Sequence, residues 1–372
     1  MPIDSVEFFP LSQRQEDPTW SFALANYPLI EGWIVVLRAE GAIGHGYAQA
    51  IPHMGSSTSG ICAALELFKP KILGRSALDI DPILADLDTV IAGNAQAKSG
   101  IDCALHDLAA NILGVPLYAL FGGGFRNSVK QIRIIPIKSP MDMASEARRL
   151  VDQGYRSLKI KMKGHVADDV ERVRAIRAEV GKDILLTLDP NQSYLAKDAI
   201  SALRKMEPDD VYLVEQPVPA SDLRGLKLVT RSVTQIVEAD ESAVTLTDVL
   251  RLANDRIVDA ISLKIPKLGG LRNAMLAARI CHTAGIEYRV GATFGPRLMA
   301  AHGVHFAAAL PKLGLPCELA EFDHLRDDPF VGLEVENGSI AVPQTPGSGV
   351  NPIRAFGDTA NASTKGHPTR RT

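Results

Sequence analysis

The run Ser157-Leu158-Lys159-Ile160-Lys161-Met162-Lys163-Gly164 is apolar and strand-like, yet it carries a lysine at every second position. Side chains alternate between the two faces of a strand, so Lys159, Lys161 and Lys163 are expected on one face. Three ammonium groups on a hydrophobic strand need anions nearby. The chain supplies them at the ends of three later strand-like runs: Asp189 in Leu-Leu-Thr-Leu-Asp-Pro-Asn, Glu215 in Val-Tyr-Leu-Val-Glu-Gln-Pro and Asp240 in Ile-Val-Glu-Ala-Asp-Glu-Ser. A further run, Ala-Ile-Ser-Leu-Lys-Ile-Pro, ends in Lys264. Converging carboxylates repel one another and require a cation; oxygen-only ligands select a hard divalent ion, Mg²⁺ first and Mn²⁺ second. A substrate carboxylate on such an ion has its α-proton acidified, because the enediolate left on deprotonation is stabilised. The base must then be a lysine, whose ordinary pKa of about 10.4 is too high near neutrality unless a like charge or the metal lowers it. Lys159 is the natural perturber, and Lys161, nearer the strand end, the proton acceptor.

These groups need a frame. Residues 3–10 and 32–39 read as strands, with a third through Tyr47, forming an antiparallel meander. From about Ser59 to Leu120 the apolar period becomes helical, and the helical stretch Ala97–Leu113 stops at Gly114-Val115-Pro116. A meander followed by helices is an α+β unit, placed at 1–125. After Gly122-Gly123-Gly124, β-rich runs recur near 132–137, 157–161, 184–189, 211–215, 236–240, 260–264, 286–290 and 315–319. Amphipathic segments lie between most of them: Met141–Gln153, Ala167–Val180, Ala196–Met206, Asp222–Thr230, Thr247–Asn254 and Asn273–Ala284. This alternation predicts an α/β domain over 126–325, with parallel strands closed into a barrel of the (β/α)8 kind. An open doubly wound sheet is disfavoured because no Gly-x-Gly-x-x-Gly follows a strand.

Reacting groups of such barrels sit at the C-terminal ends of strands, where Lys161, Asp189, Glu215, Asp240 and Lys264 all fall. Strands two and six of an eight-stranded ring face each other, so Lys161 and Lys264 are expected to flank a bound α-carbon from opposite sides. Lys163 and Lys267 read as solvated rim lysines. A segment at 326–357 follows the barrel, and the small, polar, basic tail at 358–372 is expected to be disordered.

At 372 residues the chain exceeds the usual single core, which fits two folding units. Its composition, 46% hydrophobic and 22% charged, is that of a soluble globular protein. A net charge of −3 with no basic run gives no reason to expect nucleic acid or an anionic membrane as partner. No apolar run approaches the roughly 20 residues needed to span a bilayer, and the first residues do not read as a signal peptide. Cys62, Cys103, Cys281 and Cys317 are scattered, without a Cys-x-x-Cys pair, as expected of free thiols in a reducing, cytoplasmic setting.

Several motifs together carry a resemblance: Ala-Leu-His-Asp-Leu, Gly-Val-Pro-Leu-Tyr and Leu-Phe-Gly-Gly within Ala97–Gly123, Leu-Lys159-Ile-Lys161, Asp189-Pro-Asn191, Glu215-Gln216-Pro217, Ala-Asp240-Glu241-Ser242 and Lys264-Ile-Pro-Lys-Leu-Gly269-Gly270. Over nearly its whole length the chain resembles the enolase superfamily, specifically the muconate-lactonizing-enzyme (muconate cycloisomerase) subgroup of the mandelate racemase/muconate lactonizing enzyme family. The resemblance implies an N-terminal capping domain whose loops, near 13–26 and 51–58, close over the site. It also implies a modified (β/α)7β barrel, a C-terminal segment returning to the cap, and a homo-oligomer. Carried over residue by residue, it makes Asp189, Glu215 and Asp240 the Mg²⁺ ligands, Lys161 and Lys264 the acid/base pair, Lys159 the pKa-lowering partner, and Asn191 and Glu241 supporting residues.

Departures narrow the subgroup. Glu287-Tyr288-Arg289-Val290-Gly291-Ala292-Thr293 holds no histidine, so the His/Asp dyad of mandelate-racemase-like members is missing. Dipeptide epimerases share an Asp-x-Asp at strand eight, where this chain has Cys317-Glu318-Leu319-Ala320-Glu321, which weighs against a dipeptide substrate. Glu318 falls where cycloisomerases of the family carry an acidic residue. Trp20, Phe22, His53, Met54, Thr293, Phe294 and Arg297 are expected at the distal part of the substrate, with Arg297 pairing a second substrate carboxylate or forming a structural ion pair. Opposed lysines permit 1,1-proton transfer, cycloisomerisation or β-elimination. The expectation is a Mg²⁺-dependent isomerase, a racemase, epimerase or cycloisomerase, acting on a small-molecule carboxylate. The rivals are a dehydratase or related lyase acting on a hydroxy acid or hydroxylated amino acid, and a catalytically silent binding or assembly protein.

Overall fold

The computed structural model describes residues 1–24, 26–291 and 293–356. The tail expected to be disordered, 358–372, lies outside the described residues. Strands β1 (Ser5–Arg14), β2 (Leu29–Ala39) and β3 (Ala42–Gln49) form the expected antiparallel meander. Alternation along β2 divides its side chains between two cores. Val35 and Leu37 pack with Ile61, Leu65 and Phe68 of α1 (Thr58–Ile72), backed by α2 (Ile80–Val90), whereas Ile34 and Val36 join the core of the second unit. Helix α3 (Ala95–Leu113) contributes to both cores and is buried from Gln96 to Ala110. Its close approach to β3 depends on Gly44 and Gly46: a Cβ at Gly46 would overlap the Gly100 carbonyl oxygen.

After β4 (Ser128–Lys130) the chain alternates strand and helix: β5 (Arg133–Ile135), α4 (Pro140–Asp152), β6 (Ser157–Lys161), α5 (Val166–Val180), β7 (Leu185–Asp189), α6 (Ala196–Lys205), β8 (Val211–Glu215), α7 (Leu223–Ser232), β9 (Ile236–Ala239), α8 (Leu246–Asn254), β10 (Ala260–Leu263), α9 (Ile265–Leu268), α10 (Leu271–Ala284), β11 (Glu287–Val290) and α11 (Arg297–Ala309). Strands β5 to β11 lie in sequence order in one parallel sheet. The eighth expected strand is a short extended segment rather than a full strand, but it closes the ring. Cys317 N–H donates to the Lys130 carbonyl (2.9 Å) and the Cys317 carbonyl accepts from Ile132 N–H (2.8 Å), while Glu318 N–H donates to the Val290 carbonyl (3.0 Å). Helix α11 escapes the sequence pattern because it is buried on nearly every side and so carries no amphipathic period.

Two aspartates of α3 tie the units together. Asp102 accepts from Leu271 N–H (2.9 Å) and Arg272 N–H (3.2 Å), satisfying orphan donors at the start of α10. Asp107 accepts from His45 N–H (2.8 Å) and from Ser348 N–H (2.6 Å) of the C-terminal segment. That segment forms β12 (Phe330–Val331), β13 (Ser339–Ala341) and β14 (Asn351–Pro352), with β13 pairing to β4 and β12 to β14. The four cysteines are free, and among the described residues no helix is long and apolar enough to cross a membrane.

His302 on α11 is fully buried with its Nε2 unpartnered, and burial, with His305, His106 and His45 nearby, brings its pKa down to about 3. Below its unfolded pKa of about 6.5 the unfolded chain takes up a proton that the folded chain refuses, so this histidine destabilises the fold as pH falls. His302→Leu is therefore expected to gain about 2 kcal/mol on the parent between pH 7.5 and pH 5. Urea unfolding at both pH values checks this; a difference that does not change with pH would refute it.

Candidate active site

In β6, Leu158 and Ile160 join the apolar core, and the alternating Lys159 and Lys161 meet the carboxylates of neighbouring strand ends. The strand ends at Lys161, and Lys163 beyond it is exposed, the solvated rim lysine expected. Lys161 is in register with Asp189 of β7, and its Nζ reaches Asp189 Oδ2 (2.5 Å) and Asn191 Oδ1 (2.9 Å). Asn191 (φ 44°) and Gln192 (φ 69°) are left-handed, which turns the chain back over the strand end and lets Asn191 N–H cap Asp189 Oδ1 at 3.0 Å. The Asn191 amide also donates to Glu241 Oε1 at 3.3 Å.

Just inside the mouth, where barrels ordinarily stack branched aliphatic side chains, the layer is ionic. Lys159 reaches Glu215 (2.6 Å), Glu318 (2.7 Å) and Asp189 (2.9 Å). Arg289 of β11 forks onto Glu238 of β9 (2.9 and 3.0 Å from Nε), and also holds Glu318 (2.8 Å) and Glu215 (2.5 Å). All six side chains are buried, a placement that is tolerable only because each charge meets at least one opposite charge within hydrogen-bond distance. Burial opposes the charge on Lys159, but Asp189, Glu215 and Glu318 outweigh it and hold the ammonium well above its ordinary pKa. Against the same opposition, Arg289 and Lys159 bring Glu318 down to about 2.

Asp240, following β9, is held from two sides. Lys264 Nζ lies 2.6 Å from its Oδ2, and Lys267 Nζ donates to its Oδ1 and to its backbone carbonyl. Lys267 is thus not the solvated rim lysine expected: the single turn α9 folds it back beneath Lys264, and it is buried. Despite burial, the two lysines keep Asp240 well below the usual carboxylate range, and Asp240 in turn raises Lys264. Gln216, left-handed at φ 37°, accepts from both Asp240 N–H and Ser242 N–H (3.0 Å each) and so fixes the loop that carries Asp240.

Lys159, Lys161, Lys264, Asp240, Asn191, Glu241 and Glu318 open onto one cavity of about 280 Å³, lined from the N-terminal unit by Trp20, Phe22, His53 and Met54 and from beyond β11 by Thr293 and Phe294. Trp20 packs edge-on against Phe294 with centroids 4.6 Å apart, and Phe22 against His53 at 5.4 Å. Lys161 Nζ sits 5.4 Å from the centre of the Phe22 ring. Arg297 does not reach this cavity. It pairs with Asp328 (3.2 Å) and donates to the Leu333 carbonyl (3.0 Å), the structural ion pair rather than a substrate contact.

Residues 142–355 match the enolase C-terminal domain-like family, and residues 25–122 match the mandelate racemase / muconate lactonizing enzyme N-terminal domain. The chain belongs to the mandelate racemase/muconate lactonizing enzyme family of the enolase superfamily. It is 35% identical over 320 residues to the L-Ala-D/L-Glu epimerase of Bacillus subtilis (84% of this chain, 86% of the relative). It is 30% identical over 311 residues to the N-succinyl-L-Arg/Lys racemase of Bacillus cereus (82% and 84%). A crystal structure of dipeptide epimerase from Enterococcus faecalis V583, complexed with Mg and the dipeptide L-Leu-L-Tyr, superposes with a TM-score of 0.91 at 33% identity, covering 94% of this chain and 99% of that one. The chain is accordingly an enzyme of the superfamily.

Whether the residues suit the metal named in that structure is a question of donors. Among the described residues no three acidic, histidine or cysteine side chains already converge on one point, because lysine ammonium groups reach in among the carboxylates. The donor set is nonetheless the right one: hard oxygens at the ends of three consecutive strands, with Glu215 Oε1 buried and unpartnered. The residues fit a hard divalent cation. Sequence reasoning missed Arg289, Glu238, Lys267 and the clamp made by Gln216. The signal available for Arg289 was a charged residue inside a short, otherwise β-like run.

Proposed function

We propose that this enzyme is a Mg²⁺-dependent isomerase that moves the proton α to a substrate carboxylate, with Lys161 and Lys264 as opposed base and acid. The observation that carries this reading is the placement of the two lysines. Lys161 ends β6 and Lys264 directly follows β10, four strands apart in the ring, and both open onto the same cavity. Asp189, Glu215 and Asp240 would hold the metal, and Lys159 would remain a fixed cation beside Lys161, disfavouring a second charge there. When bound, Mg²⁺ would supply the positive charge that stabilises negative charge developing on the substrate carboxylate. Asn191 keeps the Lys161 ammonium oriented, Gln216 and Lys267 keep Asp240 in place, and the panel of Trp20, Phe22 and Phe294 excludes water from the reacting carbon. The relatives at 35–38% identity are named epimerases, which favours 1,1-proton transfer, while chloromuconate cycloisomerases match at 31%.

Incubated with Mg²⁺ in D₂O with dipeptides, N-acyl amino acids, hydroxy acids and lactones, the protein is expected to wash out the α-proton of at least one class, and EDTA to stop it. NMR reads the exchange and calorimetry the metal. No exchange with any class from a protein that also binds no Mg²⁺ would sink the reading.

A further inference from the structure

Two buried side chains that do not line the cavity join the loops next to Lys161 and Asn191. They are Asp169, in the first turn of α5, and Tyr194, in the loop that follows β7. The Tyr194 hydroxyl donates to Asp169 Oδ2 at 2.6 Å. The same carboxylate accepts from Gly164 N–H (2.9 Å), from Lys163 N–H (3.2 Å) and from the Arg172 guanidinium (2.8 Å). Burial, reinforced by Asp169, holds the Tyr194 hydroxyl well above its ordinary pKa, so it stays a donor.

Both ends of this staple are fixed from elsewhere, so it transmits position instead of absorbing movement. Tyr194 N–H donates to the Pro217 carbonyl (3.1 Å) and Gln192 N–H to the Gln216 carbonyl (2.8 Å), which pins the β7 loop to the loop after β8. Met162 N–H, directly after Lys161, donates to the Asp189 carbonyl (3.1 Å). The two loops meet without slack: Gly164 is left-handed at φ 84°, and a Cβ there would lie 2.6 Å from the Ser193 carbonyl oxygen. Lys161 is therefore followed at once by backbone that the staple holds, and Asn191, whose Oδ1 accepts from the Lys161 ammonium at 2.9 Å, shares its loop with Tyr194. Lys264 is placed differently. Its carbonyl accepts from Lys267 N–H (3.1 Å) and Leu268 N–H (3.2 Å), so the turn of α9 positions it from its own segment.

We propose that Asp169 and Tyr194 are positioning residues for Lys161: their hydrogen bond sets where the two loops lie, and so how the Lys161 ammonium meets the substrate α-carbon, while Lys264 is unaffected. This rests on reading Lys161 and Lys264 as opposed base and acid. Each lysine then serves one stereoisomer, so loosening the staple slows proton removal from one isomer and spares the other. A displacement of about 1 Å at a reacting group costs about 10²-fold, and losing one hydrogen bond among several should cost a fraction of that.

Tyr194→Phe removes only the hydroxyl, and Asp169→Asn keeps the shape while replacing an acceptor by a donor. With Mg²⁺, D₂O and the full chain, on a compound whose α-proton the wild type exchanges, each variant is expected to slow exchange about tenfold for the isomer that Lys161→Ala loses, and to leave the other within about twofold. On the slowed isomer kcat should fall more than KM rises. Val173→Ala, a core truncation on the same helix that leaves the staple in place, should leave the ratio of the two isomers unchanged. Amide hydrogen exchange read by mass spectrometry needs no substrate, and in Tyr194→Phe it should quicken at 162–164 and 191–194. Tyr194→Phe carries the test where Asp169→Asn does not fold. Equal slowing of both isomers, the same bias from Val173→Ala, or amides as protected in Tyr194→Phe as in the wild type overturns the proposal and leaves the isomerase reading intact. A wild type that exchanges no compound, with those amides loosened in Tyr194→Phe, removes the isomerase reading and the role given to Lys161, and leaves the staple as a structural tie alone.

Discussion

If the two lysines act as proposed, Lys161→Ala and Lys264→Ala are each expected to lower net epimerisation by about 10²–10⁴-fold, the range that a positioned general acid or base contributes. The two variants should differ in what they retain. Lysines on opposite sides of the α-carbon each serve one stereoisomer, so each variant is expected to keep α-proton exchange with the isomer whose proton faces the surviving lysine and to lose it with the other. Both substitutions should fold, because each deserted carboxylate keeps a second cation: Asp189 keeps Lys159 (2.9 Å) and Asp240 keeps Lys267. Chiral analysis alongside deuterium incorporation reads both quantities. Net epimerisation within tenfold of wild type in either variant would be incompatible with the two-lysine mechanism.

Arg289→Met is expected to be the most destabilising single change in the barrel, at about 3–5 kcal/mol, because it leaves buried carboxylates uncompensated. Glu238 depends on Arg289 for every side-chain contact it makes among the described residues, and Glu215 and Glu318 would press on Lys159 alone. Lysine at this position should rescue little, since one point charge cannot reproduce a fork shared among three carboxylates. Pairing Arg289→Met with Glu238→Leu removes both ends of the strongest contact and should recover part of the loss. Urea unfolding of the four proteins in the cycle measures the coupling, expected to be several kcal/mol by the same reasoning. A coupling below about 1 kcal/mol would mean that the ionic layer relaxes freely and does not define the site.

Much of the architecture was legible because it depends on short-range pattern. The helical segments expected between the barrel strands lie within about two residues of those observed, as usual for helix ends. Each of those helices has one face on the barrel and one in water, and that asymmetry writes a period into the sequence. Helix α11 has no such asymmetry and was not anticipated. The lysines and carboxylates of the site were legible for a different reason: charge at the end of an apolar run is improbable unless something uses it.

What the sequence could not reveal is which charge meets which. Lys163 and Lys267 looked alike, yet the end of β6 puts one in water and the turn of α9 puts the other under Asp240. Glu318 and Glu321 are three residues apart, but one is saturated by Lys159 and Arg289 while the carboxylate of the other has no hydrogen bond among the described residues. For Arg297 the sequence left a substrate carboxylate and a structural ion pair both open, and the fold gives it Asp328. The sequence by itself determined the antiparallel meander, the alternation of parallel strands and helices, and the five charged groups at the strand ends, because periodicity and polarity are local properties. Only the tertiary structure decided their pairing, since Lys159 and Glu318 meet across 159 residues of chain, and the energy of a buried charge is set by what closure of the barrel brings within 3 Å of it.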